Sequence, residues 1–186
     1  MALPPIAKAT LQAAVINAGS NVLAQAIGAY KDARPFELDS QALLQFTTSA
    51  FVLSPLTFLW LEGLEARFPG QKVVQAPKSK TEGAAAGTQT KLNVINTVLK
   101  IVIDQVIGGA WNTVAFIATM GLLRGQDWET ITQQIQIDFW PILVAGFKLW
   151  PFVSVLNFTV VPTDKRLLVG SLFGVIWAVY LSLMSG

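Results

Sequence analysis

Long apolar stretches separated by short polar segments dominate the chain. Residues 10–30, 40–61 and 167–184 carry no charge, and residues 100–123 are uncharged from Gln105 onward. A helix over residues 40–61 covers about 33 Å, slightly more than the hydrocarbon core of a bilayer. The pattern therefore predicts four transmembrane helices.

A fifth apolar stretch, over residues 139–161, is less regular. It contains Lys148 and is interrupted by Pro141 and Pro151, so we expect a helix that is kinked at its prolines. We expect it to span as well, because its crossing places most basic loop residues on one side of the membrane. The polar segment before it, residues 124–138, predicts a short amphipathic helix at the membrane surface.

Residues 70–91 differ from the rest of the chain. They are rich in small and polar residues and show no apolar periodicity, which predicts a flexible loop. The predicted fold class is therefore all-α, an integral membrane helical bundle formed by residues 1–186 as one domain. It has four transmembrane helices, a fifth proline-kinked one and a short amphipathic segment.

Composition agrees with a membrane protein and excludes several kinds of chemistry. Hydrophobic residues make up 53% of the chain and charged residues 13%, whereas roughly 25% charged is usual in soluble domains. The chain has no cysteine and no histidine, so thiolate nucleophiles, the usual zinc sites and histidine acid–base chemistry are excluded. With a net charge of only +2, we do not expect nucleic acid as a partner. We expect no cofactor and no enzymatic activity, because the carboxylates lie mostly in loops and the chain offers no nucleophile paired with a base.

Asp104 is the first candidate for a functional residue. A carboxylate within an apolar helix is costly, so it marks either a function or a buried partner. Lys100, one turn earlier, and Lys148, in the fifth stretch, are the available counter-charges. Two interpretations stay open: a structural ion pair, or a polar pathway lined by Asp104 and Lys148.

Three further polar residues complete the candidate set. Gln105 follows Asp104, and Asn157 lies within the fifth apolar stretch. Arg166 lies between two predicted helices, where it is either an interfacial anchor or an electrostatic gate. The predicted polar pathway or buried ion pair therefore comprises Lys100, Asp104, Gln105, Lys148, Asn157 and Arg166.

An ordered set of motifs marks the last third of the chain. It consists of Trp140-Pro141, Trp150-Pro151, Asn157-Phe158, Pro162, Arg166 and finally Trp177 with Tyr180. This set resembles the Mpv17/PMP22 family, which comprises small integral proteins of the peroxisomal membrane and the mitochondrial inner membrane. Asp104-Gln105 and Ser54-Pro55 extend the resemblance into the third and second helices.

The resemblance implies a pore or channel for small solutes across an organelle membrane. The alternative is a membrane-organising scaffold that acts through oligomerisation. Gly170 and Gly174 form a small-residue face that suits close packing, and we expect that packing to lie within the bundle. The expected partners are the lipid bilayer, small solutes and further copies of the chain. Asn21 and Gln25 are more similar to peroxisomal members, which favours the peroxisomal membrane over the mitochondrial inner membrane.

Overall fold

A computed structural model describes residues 3–75 and 88–184, most of which are helical. The helices are α1 (Pro5–Lys31), α2 (Ser40–Arg67), α3 (Val94–Ile103), α4 (Gly109–Leu123), α5 (Trp128–Gly146), α6 (Trp150–Thr159) and α7 (Arg166–Met184). A π-helical turn, Asp104–Gly108, joins α3 to α4, and a 3-10 turn, Thr163–Lys165, precedes α7.

Side-chain caps fix where three of these helices begin. Asp39 accepts a hydrogen bond from the Ala42 N–H at 2.9 Å, and Asn93 and Asp127 cap α3 and α5 in the same way. Each cap satisfies a backbone donor that has no partner within its helix. Hydrogen bonds from Thr130 lower the pKa of the exposed Asp127 carboxyl.

The helices form a bundle with two distinct ends. α1 packs against α2 and α7, α4 packs against α5 and α2, and α3 packs against α6. The ends of α2 and α6 meet the starts of α3 and α7 at one end, which we call the hairpin end. At the opposite end, the Gln25 side chain bonds the backbone of Asp39, and Gln45 bonds the carbonyl of Leu123.

Two helices among the described residues are long and apolar enough to cross a membrane. They are α2 and the continuous rod Val94–Leu123, and the bent pair α5–α6 adds a third if it forms one span. Residues 10–30 and 167–184 are helical as predicted, but α1 does not meet the same criterion. The prediction of four transmembrane helices is therefore confirmed only in part.

The distribution of side chains is that of a protein in an apolar solvent. Phe51, Leu59 and Val102 are among many large apolar side chains that face outward from α2 and α3. Lys100 and Arg166, by contrast, are buried, with 0% and 5% of their surfaces exposed. Water would favour the reverse arrangement, so the outer surface is suited to lipid.

A β-hairpin replaces part of the predicted loop. Residues 70–91 were expected to be flexible, yet β1 (Gln71–Gln75) and β2 (Thr88–Leu92) form an antiparallel pair. β-branched Val73, Val74, Thr88 and Thr90 favour this extended backbone, a local signal that overall composition hides. Residues 76–87, the centre of the predicted loop, lie outside the described residues.

The fifth predicted span is two helices, and the amphipathic segment is not separate. α5 begins at Trp128 and continues through Pro141 to Gly146, so residues 128–138 belong to the same helix as Trp140. The axis then bends by 57° between α5 and α6. The break precedes Pro151, whose ring is tolerated in the first turn of α6, whereas Pro141 does not end α5.

Candidate functional site

Three buried or half-buried charges meet at the hairpin end of the bundle. Glu65, in the last turn of α2, accepts hydrogen bonds through Oε2 from Lys100 Nζ at 2.5 Å and from Arg166 Nη1 at 2.7 Å. Lys100 comes from α3 and Arg166 from the start of α7. One carboxylate therefore joins three helices and serves two cations.

Phe158 and the backbone complete the surroundings of the two cations. The centroid of its ring lies 5.1 Å from Lys100 Nζ and 5.1 Å from Arg166 Cζ, within the range of cation–π attraction. Arg166 Nε donates to the carbonyls of Asn157 and Val161 at 3.0 and 3.3 Å. Asn157 Nδ2 donates in turn to the Arg166 carbonyl at 3.3 Å. Arg166 thus holds the end of α6 against the start of α7.

A cavity of about 430 Å³ lies beside these charges and is open at the hairpin end. Glu65, Phe158 and Arg166 contribute to its lining, together with Gln71 and Leu92 from the first register pair of the β-hairpin. The fully buried Lys100 is not in contact with it. The cavity therefore ends at the charged cluster of Glu65, Lys100 and Arg166.

A second polar cluster surrounds Asp104, one turn further into the bundle. Trp60 Nε1 donates to Asp104 Oδ1 at 2.9 Å, and Ser154 Oγ donates to Oδ2 at 2.5 Å. Gln105 Nε2 donates to Ser154 Oγ at 2.8 Å. Side chains from α2, the π-helical turn and α6 therefore converge on one carboxylate.

The π-helical turn gives Asp104 this position. A π-turn inserts an extra residue into the helix and commonly occurs at functional sites. Gly108 closes the turn, and a Cβ atom added there would lie 2.8 Å from Trp60 Nε1 and 2.9 Å from Asp104 Oδ1. Glycine is therefore needed for Trp60 to reach Asp104.

The predicted pairing of Asp104 with Lys100 or Lys148 is wrong. Lys100 lies one turn from Asp104 but bonds Glu65, and Lys148 Nζ bonds the Tyr180 hydroxyl at 3.1 Å. Among the described residues Asp104 makes no salt bridge, and neutral donors bind both of its oxygens. Spacing along one helix did not reveal which neighbouring helix supplies the partner.

The six predicted site residues fall into three places. Lys100 and Arg166 lie in the charged cluster and Asn157 bonds Arg166 beside it, while Asp104 and Gln105 lie in the second cluster. Lys148 lies apart, exposed at the break between α5 and α6. The sequence analysis missed Glu65, Trp60 and Ser154.

Comparison with known proteins shows a likeness to one protein family. A sequence model of the Mpv17/PMP22 family matches residues 121–182, which include Ser154, Asn157, Phe158 and Arg166. Over this segment the chain is similar to the Mpv17/PMP22 family. No solved structure matches it.

Curated proteins extend the likeness beyond the matched segment. Protein sym1 of Schizosaccharomyces pombe is 29% identical over 76% of this chain and 59% of its own length. PXMP2/4 family protein 3 of Dictyostelium discoideum is 27% identical over 97% of this chain and 84% of its own length. Mpv17-like protein of Bos taurus is 29% identical over 68% of this chain and 53% of its own length. The chain thus spans little more than half of two of these relatives.

The motif residues on which the resemblance to the Mpv17/PMP22 family rests have two structural roles. Trp150, Trp177 and Tyr180 form an aromatic row, in which Trp177 lies edge-on to Trp150 at 6.2 Å and is stacked on Tyr180 at 5.4 Å. This row joins α6 to α7 beside Lys148. Asn157, Phe158, Pro162 and Arg166 instead lie at the charged cluster or its cavity, while Trp140 faces outward.

Proposed function

We propose that the chain forms a pore or channel for small solutes across an organelle membrane. The supporting observation is that buried polar side chains of α2, α3, α6 and α7 meet below a cavity that opens at the hairpin end. Charged groups inside membrane bundles characteristically mark solute or ion pathways, because lipid contact is so unfavourable for them. The route runs from the cavity past Glu65 and Lys100 to Asp104.

Each part of this route has a separate role in the proposal. The cavity is the entrance, and the ion pairs at its base form a charged constriction. Asp104, Gln105 and Ser154 continue the polar surface one turn deeper. Conduction requires the helices to separate along this line, since Ser154 and Lys100 are buried in the described conformation.

Reconstitution of the purified protein into planar bilayers tests the proposal. We expect wild-type protein to conduct and Asp104→Asn to change the conductance or ion selectivity. Asp138→Asn is the matched control, because Asp138 accepts from Gln134 within α5 and lies outside both clusters. Lys148→Met should also leave conduction unchanged. A silent wild type, or an Asp104→Asn variant that conducts like wild type, would contradict the proposal.

A membrane-organising scaffold is the second candidate function. We expected Gly170 and Gly174 to pack within the bundle, but an added Cβ at either would meet no described atom within 4 Å. This small-residue face of α7 is therefore free to pack against another copy of the chain. If the scaffold is correct, the detergent complex has the mass of a homo-oligomer and Gly170→Leu reduces that mass. A monomer in both proteins would exclude it.

We further propose a peroxisomal membrane location, with the mitochondrial inner membrane as the alternative. The resemblance of the first helix at Asn21 and Gln25 supports this choice. In the structure, Asn21 accepts from Gln25 at 2.7 Å, and Gln25 binds Asp39. Imaging a tagged protein against markers of both organelles tests the location. Marker overlap with mitochondria alone would overturn it.

No enzymatic role is part of the proposal. The chain has neither cysteine nor histidine, and the buried carboxylates are engaged by structural donors. Groups of three or more acidic residues placed to hold a metal ion do not occur in residues 3–75 and 88–184.

A further inference from the structure

We propose that the cavity at the hairpin end binds an anionic group, a phosphate, and that Arg166 is its receptor. The inference starts from the balance of charge at the cavity. Lys100 and Arg166 are cations, and Glu65 is the carboxylate that both contact. The charged cluster therefore carries one positive charge that it does not neutralise itself.

Lys100 depends more strongly than Arg166 on the negative charge of Glu65. Its side chain is fully buried, and Glu65 Oε2 is its hydrogen-bond partner at 2.5 Å. A buried ammonium without a carboxylate is very unfavourable. Asp104, one turn away, is bound by Trp60 and Ser154 and forms no salt bridge among the described residues. The pair of Lys100 and Glu65 is thus neutral by itself and leaves the charge on Arg166.

Arg166 still has hydrogen-bonding capacity directed at a ligand. Its Nε and Nη1 groups bond the carbonyls of Asn157 and Val161 and the carboxylate of Glu65. Nη2 makes no hydrogen bond to the described part of the chain, and Arg166 contributes to the cavity lining. A guanidinium group with a free edge is well matched to phosphate oxygens.

The rim of the cavity adds to the positive field. Lys72 and Lys91 are paired directly across the β-hairpin and are both exposed, although like charges in such a pair repel each other. Among the described residues near this end, the exposed charges include basic Arg67, Lys72, Lys91 and Lys165 and acidic Glu62 and Asp164. An anion approaching the cavity is therefore attracted before it reaches Arg166.

The size of the cavity suits a small solute or a lipid headgroup. About 430 Å³ is ample for a phosphate group with a short organic portion. Both a free phosphate and the headgroup of an anionic phospholipid share the chemistry that Arg166 recognises. Binding of the anion at Arg166 does not depend on the proposed pore. Only the role of the anion rests on the proposed function: if the bundle conducts, the anion is a conducted solute or a regulator.

Thermal unfolding of the full chain in detergent tests binding without conduction. Inorganic phosphate is titrated against chloride at constant ionic strength, and phosphatidic acid is added in a second arm. We expect the melting temperature to rise with phosphate and to saturate, as for a ligand that binds the folded state. A response to phosphate identifies a free anion, and a response to phosphatidic acid alone identifies a headgroup.

Two variants and a control decide the site. Val160 lines the cavity, so Val160→Trp places a bulky ring there without changing Arg166, whereas Arg166→Gln removes the charge. Each should weaken apparent phosphate affinity at least about tenfold. Val144→Trp is the control, since Val144 is exposed on α5 and does not line the cavity. If Arg166→Gln does not fold, Val160→Trp alone tests whether phosphate binds in the cavity.

Two results would overturn the inference. One is a wild type whose melting temperature responds to neither ligand. The other is a response that Val160→Trp keeps in full, which identifies the general stabilising effect of phosphate salts. Either result leaves the planar-bilayer test of conduction intact, so failure of binding and failure of the pore are distinguishable.

Discussion

Glu65 is the residue on which the charges at the hairpin end depend. It neutralises a fully buried lysine and at the same time joins α2 to α7 through Arg166. The Gly70 N–H donates to its other oxygen at 2.7 Å, which fixes the carboxylate where α2 ends. Such a network stabilises the fold only while every member is present.

Replacing this carboxylate should destabilise the protein strongly. Glu65→Gln leaves Lys100 buried without a counter-charge, and we expect a loss of about 3–5 kcal/mol in the free energy of unfolding. Lys100→Met in the same chain should recover part of the loss, because it removes the unpaired cation. Unfolding in detergent, followed by circular dichroism, measures both changes.

Glu62→Gln is the matched control for this prediction. Glu62 lies one turn earlier on α2, is exposed and belongs to neither cluster. It should unfold like wild type. If Glu65→Gln and Glu62→Gln are equally stable, the ion pairs at Glu65 do not stabilise the bundle.

At the scale of the element, the rod formed by α3, the π-helical turn and α4 presents the polar residues to the rest of the bundle. Lys100 and Asp104 lie one turn apart on this rod, yet they bond different helices. Trp60 can approach Asp104 only because Gly108 has no Cβ atom. The local shape of the rod at Gly108 therefore serves its polar contacts.

Alanine in place of glycine tests the shape of this rod. Gly108→Ala should lower stability by about 1–3 kcal/mol, because the new methyl group overlaps Trp60 Nε1 and Asp104 Oδ1. Gly19→Ala should be neutral or stabilise by up to roughly 1 kcal/mol, since its Cβ meets no described atom within 4 Å. Denaturant unfolding compares the two. Equal effects would show that Gly108 has no special role.

Sequence patterns predicted elements better than they predicted contacts. The apolar runs located the helices, but the span expected to end at residue 61 continues to Arg67, which brings Glu65 into the helix and into contact with Lys100. The partners of Lys100 and Asp104 come from helices distant in sequence, and periodicity along one helix carries no information on them. The β-hairpin was missed because its strands flank a segment whose composition dominates the pattern.

At the scale of the whole molecule, the arrangement of the rods fixes which loops share a side of the membrane. α2 and the rod Val94–Leu123 are antiparallel and meet at the hairpin end, so the hairpin and the turn after α4 lie at opposite ends. The basic residues Arg67, Lys72, Lys91 and Lys165 gather at the hairpin end. The positive-inside rule predicts that this end faces the cytosolic side.

The absence of cysteine makes this arrangement easy to test. In sealed vesicles, an impermeant thiol reagent should label Lys72→Cys and Arg124→Cys from opposite sides, because one membrane-length rod separates them. The unmodified chain contains no thiol and provides the background. Labelling of both positions from the same side would contradict the crossing of α3 and α4.

The most direct test of the central claim asks whether water reaches the polar interior of the bundle. Ser154→Cys places a thiol beside Asp104, whereas Val155→Cys, the next residue of α6, places one on the outward face. In proteoliposomes, we predict that a charged methanethiosulfonate reagent modifies Ser154→Cys and reduces solute flux, while Val155→Cys reacts far more slowly. An unreactive Ser154→Cys beside a reactive Val155→Cys would show that the buried polar groups only hold the helices together and that no aqueous path follows them.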